Sequence, residues 1–153
     1  MKNLKIQVLS MTFIFCCIIT SAQKTIINEP ELNRPKLFQN LPADIQIKPL
    51  QLEGVLDYQV GQTVNLNLGP GFQFQGKVVS TASKYENSIQ SIVIASSNYN
   101  GARLTLSKLT HTDESVTYTG RIISFQHGDL FELTSRSNQY YLVKKKFYDL
   151  VNE

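Results

Sequence analysis

The residues best equipped for chemistry occur in a repeated spelling, His111-Thr112-Asp113 and His127-Gly128-Asp129. An imidazole beside a carboxylate can bind zinc or make an acid/base pair, and two such pairs together would supply four ligands. Spacing argues against a joint site. Both pairs flank Val116 to Phe125, which reads as one strand, and at ~3.3 Å per residue that strand holds its ends about 30 Å apart. Each pair also suits a turn: Gly128 can supply positive φ beside His127, and the Asp113 carboxylate can cap local N–H groups. His111, Asp113, His127 and Asp129 are thus the candidates for a metal-dependent or acid/base hydrolase, with turn chemistry the expected role of all four.

Other routes to catalysis are absent from the spelling. No serine sits in a Gly-x-Ser-x-Gly elbow, no glycine-rich loop opens a helix to cradle phosphate, and Asp113-Glu114 point apart as neighbours on a turn. The chain is expected to be a non-enzyme with no cofactor and no bound metal. Tyrosines offer a different role. Tyr85, Tyr99, Tyr118, Tyr140 and Tyr141 recur near strand ends and turns, and their flat apolar rings with a hydroxyl suit contact with sugars, peptides or other proteins. Lys144-Lys145-Lys146 followed by Phe147-Tyr148 has the basic and aromatic mix of single-strand nucleic-acid binders. As one short cluster on a nearly neutral chain, it reads instead as a solvated strand end that guards a sheet edge.

These residues must be carried by strands. Val64, Leu66 and Leu68 alternate with polar neighbours, Gly69-Pro70-Gly71 turns the chain, and Phe72, Phe74 and Val78 alternate again. Period-two patterning on both sides of a short turn predicts a hairpin, with Gly76 marking a bulge or bend. Ile89 to Ala95 is apolar on both faces at its centre and reads as a mid-sheet strand covered on both sides. Asn100-Gly101 predicts a type I′ turn into Leu104 and Leu106. Strands at Val116–Phe125, Leu130–Thr134 and Gln139–Lys144 follow, joined by turns at 127–128 and 135–138. The fold class is therefore all-β, an antiparallel meander of about seven or eight strands closing as a small barrel or sandwich. Phe147, Leu150 and Val151 fall at i, i+3 and i+4, the spacing of a short C-terminal helix able to cover the sheet.

Compartment is read from the N-terminus. Lys2 and Lys5 precede the 14-residue apolar run Ile6 to Ile19, and Thr20, Ser21 and Ala22 form a small-residue exit. That is the three-part plan of a cleavable signal peptide over 1–22. The run reaches only ~21 Å as a helix, short of a bilayer core of about 30 Å, so no membrane span is expected after cleavage. Cys16 and Cys17 both lie inside it; the remaining chain has no disulfide and no thiol. Residues 23–43 hold Pro30, Pro35 and Pro42, with Pro49 beyond, and read as an extended arm. Residues 44–153 then form a single β domain. With the leader removed, 13 basic residues face 12 acidic ones, too even a balance to favour nucleic acid.

The expectation is an exported, periplasmic or secreted, non-enzymatic binding or interaction module, with an envelope protein or a carbohydrate as partner. Besides the hydrolase, the alternative is a small-ligand carrier. A barrel is similar in outline to lipocalin-type carriers, but a chain without tryptophan lacks their Gly-x-Trp mark.

Overall fold

The computed structural model describes residues 34–151; the leader at 1–22 and the first part of the arm lie outside the described residues. Ten elements follow in order: β1 (Asp44–Ile47), α1 (Pro49–Leu56), β2 (Thr63–Gly69), β3 (Phe72–Lys84), β4 (Ile89–Ser96), β5 (Ala102–Thr110), β6 (Val116–Ser124), β7 (Asp129–Arg136), β8 (Gln139–Lys146) and α2 (Phe147–Val151). The strands make one antiparallel sheet of eight in the order β1-β8-β7-β6-β5-β4-β3-β2. Every neighbour from β2 to β8 is also the next strand in sequence, and β1 pairs with β8 through Asp44↔Val143 to Ile47↔Tyr140. The sheet curls into a nearly closed barrel. Its seam lies between β1 and β2, where Gly69 comes so close to Ile45 that any added Cβ would collide with it.

Alternation sets the inside. Val64, Leu66 and Leu68 of β2 and Phe72, Phe74 and Val78 of β3 are buried, while the residues between them are exposed. Ile92, Ile94, Leu104, Leu106, Tyr118, Ile122, Phe131, Leu133 and Leu142 complete the ring. Side chains fill it. The remaining void, among Ile47, Leu52, Val55, Leu104, Leu133 and Leu142, is about 20 Å³, far below the several hundred of a small-molecule pocket. One end is stoppered by Phe38, which is 0% exposed and packs its ring against Phe72, Tyr99 and Phe131 with centroids 5.2–6.0 Å apart.

Several sequence expectations are corrected here. The helix that packs over the sheet is α1, on the N-terminal side, rather than a C-terminal one; the chain end forms only the five-residue turn α2. Pro49 opens α1 at a position that needs no N–H donor. Lys48 precedes it in extended conformation, and its N–H donates to Gln51 Oε1 at 3.0 Å. Leu52 and Val55, one turn apart, are the face it buries. Gly76 is not the bulge. The register shifts between Val78 and Ser80, and Gly76 is required because a Cβ there would strike the Ala95 carbonyl oxygen of β4. β4 is not covered on both sides, since Ile92 and Ile94 face the core while Val93 is only half-buried.

The turn chemistry is redistributed as well. Gly101 alone has positive φ in the β4–β5 loop, so Asn100-Gly101 is not type I′. Two positive φ values close the two-residue loop between Arg136 and Gln139, at Ser137 (50°) and Asn138 (60°), and Tyr85, Glu86 and Asn87 are left-handed in the β3–β4 turn. Left-handed glycines among the described residues are Gly61, Gly69, Gly71 and Gly101. The expectation of positive φ at Gly128 does not hold: its N–H donates to Pro35 O at 3.2 Å, and its carbonyl accepts from Phe147 N–H at 2.9 Å.

Candidate functional site

The two His-x-Asp pairs sit at opposite ends of β6 and do not meet. At the first, Asp113 Oδ1 accepts the Ser115 N–H at 3.0 Å and the Ser115 hydroxyl at 2.6 Å. These bonds favour the charged form and hold the Asp113 carboxyl below its ordinary pKa. His111 Nε2 lies 3.0 Å from Thr117 Oγ1. The pair is a local turn.

At the second, Asp129 is 3% exposed. Its Oδ1 accepts Leu37 N–H at 2.6 Å and its Oδ2 accepts Phe38 N–H at 2.9 Å, so both oxygens are spent on the arm. Ser124 Oγ lies 2.8 Å from His127 Nδ1 and 3.2 Å from Asn100 O. The hydroxyl has one proton for these two contacts, and the Gln126 N–H donates to the same oxygen at 3.4 Å. Ser124 is fully buried. Among the described residues no three His, Cys, Asp or Glu side chains converge as a metal site.

The tyrosines do not form one surface. Tyr85 is exposed in the β3–β4 turn, whereas Tyr118 and Tyr140 are buried edge to face, with centroids 5.5 Å apart. The Tyr140 hydroxyl accepts the Tyr118 N–H at 3.1 Å, and burial raises the Tyr118 pKa. The Tyr141 hydroxyl donates to Gln139 Oε1 at 2.6 Å, and Arg136 lies over the Tyr141 ring. Only Tyr99 borders a cavity of useful size.

That cavity is a cleft of about 740 Å³ at the seam. Gln46 of β1, Lys48 and Gln51 at the start of α1, Asn67 and Gly69 of β2, the Pro70-Gly71 turn, Gln73 of β3, and Asn98 with Tyr99 from the β4–β5 loop line it. Some of its amides are framework. Gln51 takes Lys48 N–H on Oε1 and donates Nε2–H to Asn67 O at 3.2 Å, stitching α1 to the open side of β2. Asn98 accepts Gln75 N–H at 3.0 Å and donates to Gln73 O at 2.8 Å, fastening the loop to β3. The side chains of Gln46, Gln73 and Lys48 and the Tyr99 hydroxyl make no hydrogen bond to any described residue. Tyr99 is held by its ring against Phe38, Phe72 and Phe74, and burial raises its pKa, so at neutral pH it presents an O–H. Among the described residues no carboxylate or imidazole lines the cleft. Its side chains can donate and accept hydrogen bonds.

Searches against protein-family models, curated proteins and solved structures find no match for the chain.

The seam cleft was missed by sequence reasoning because its residues are ordinary polar side chains spread from Gln46 to Tyr99. They meet only because β1 leaves the chain's order to pair with β8. The α1 half had a readable signal in Pro49 followed by Leu52, Val55 and Leu56 at helical spacing.

Proposed function

We propose that the protein is an exported, non-enzymatic binding module whose seam cleft takes a neutral, polyhydroxylated ligand, a carbohydrate of the cell envelope. The observation that carries the reading is the set of unengaged groups there. Two amides, an ammonium and a phenol border one 740 Å³ cleft with no carboxylate or imidazole among its described lining residues. Amides both donate and accept, as a hydroxyl-rich neutral ligand requires, and a tyrosine ring offers a flat face for a sugar. The tight hairpins and filled core make the frame rigid, which lowers the entropic cost of binding. The same filled interior weighs against the carrier alternative. Export rests on the leader read at residues 1–22.

The test is titration of the exported chain with soluble neutral oligosaccharides, including N-acetylglucosamine oligomers, followed by amide NMR. Shifts should concentrate at Gln46, Gln51, Gln73, Asn98 and Tyr99. Gln73→Ala and Tyr99→Phe should each weaken binding about fivefold to tenfold, for the loss of one hydrogen bond of roughly 1 kcal/mol. Shifts confined to other faces would remove the cleft from consideration.

A further inference from the structure

A second feature lies at the end of the barrel where the arm enters. Lys36, Lys144, Lys145 and Lys146 line an open cleft of about 500 Å³, with Asp129 and Asp149 the carboxylates on its wall. Asp129 is buried and holds Leu37 and Phe38 N–H, while Asp149, exposed on the wall, accepts Lys146 N–H at 3.3 Å. Lys145 pairs with Glu132. Lys144 donates to Leu41 O and lies 5.7 Å from the centre of the Phe131 ring. The ammonium groups of Lys36 and Lys146 meet no described partner. Arg34 joins the group, its guanidinium over the Phe147 ring and donating to Phe125 O.

Among the described residues, Arg34, Lys36, Lys144, Lys145 and Lys146 stand at this end against Asp129, Glu132 and Asp149. An aromatic rim adjoins them. Phe125 is 68% exposed and meets Phe147 edge to face at 6.0 Å. Flexible cations beside exposed aromatic rings are the composition that settles at a lipid–water boundary, where lysine stems reach phosphate and rings enter the headgroup layer.

We propose that this end of the barrel, centred on Lys36, Lys146 and Phe125, is a docking face for membranes bearing anionic phospholipid headgroups. The contact is peripheral: cations on phosphate, with Phe125 at the level of the headgroups. It is separate from the seam cleft and does not depend on what that cleft binds.

The experiment is flotation of the exported chain with vesicles of phosphatidylcholine alone or with about a third phosphatidylglycerol. Binding is expected on the anionic vesicles only, falling as salt is raised. Lys36→Gln with Lys146→Gln should weaken it by on the order of twentyfold, at about fivefold per lysine near a charged surface, and Phe125→Ser should weaken it further. Lys77→Gln with Lys84→Gln removes the same charge from β3 and should change partition little. Thermal melts of each variant establish that it is folded. The proposal is overturned by equal partition onto neutral vesicles or by an equal loss in the β3 pair. It is also overturned if glycerol phosphate binds the same lysines without any vesicle binding, which would make the cleft a small-anion pocket.

Discussion

At one end of β6, Asp113 reaches two residues along the chain to Ser115; at the other, Asp129 reaches back more than ninety residues to Leu37 and Phe38. The tripeptides around them share their first and third residues. Their surroundings differ in every way that sets an energy. Asp113 is exposed and its bonds compete with water, so it shapes a turn. Asp129 is buried, its acceptors replace lost hydration, and the segment it holds carries the aromatic stopper of the barrel. What a carboxylate does for a fold depends on where its donors come from, and a local spelling cannot report that.

The contrast can be broken most forcefully at what Asp129 holds. Phe38→Ala empties the centre of the Phe72, Tyr99 and Phe131 cluster and should cost about 3–5 kcal/mol by denaturant titration; a loss under about 1 kcal/mol would mean the arm is not part of the core. Asp129→Asn places an amide donor against one of two backbone N–H groups and should cost roughly 2–4 kcal/mol. If it proves as mild as Asp113→Asn, the two turns are equivalent and the comparison fails. His127→Ala removes the hydrogen bond to Ser124 and should cost about 0.5–1.5 kcal/mol. His111→Ala, at an exposed turn, should move the melting temperature less than His127→Ala does.

The smallest effect is at Asp113 and is visible only in acid. Its folded pKa is lowered by the Ser115 bonds, so the stability it contributes is full above the unfolded carboxylate pKa of about 3.9 and is lost as pH falls through the folded value. Wild type and Asp113→Ala should therefore differ slightly at pH 7 and converge below about pH 4. A gap that widens in acid would reverse the sign.

Period-two alternation was enough to read β2, most of β3 and the strands from β4 to β8, because a one-residue slip would turn every apolar side chain outward. It failed where two structures compete for one pattern. Pro49 lies beyond the arm at 23–43 and its spelling signals only a break in extended chain, yet it starts α1. Asn100-Gly101 had the strongest turn spelling, but the loop runs from Ser97 to Gly101 and the tight turn formed at Ser137-Asn138. There the two flanking strands, paired from Asp129↔Lys146 to Arg136↔Gln139, impose left-handed backbone on residues that do not demand it. Of the candidate site, only Tyr99 was legible. The remaining cleft residues are assembled by closure of the barrel, a relation between distant segments that no short window contains.

The ladder joining Asp44–Ile47 to Tyr140–Val143 has one further consequence, for the order of events in the life of the chain. The first strand finds its partner in the last, so synthesis must be nearly finished before the barrel can shut. Contacts this distant are slow to form, since the loop between them must be ordered first. The β2–β8 hairpins join sequence neighbours and can pair earlier, so shutting the seam is the late step.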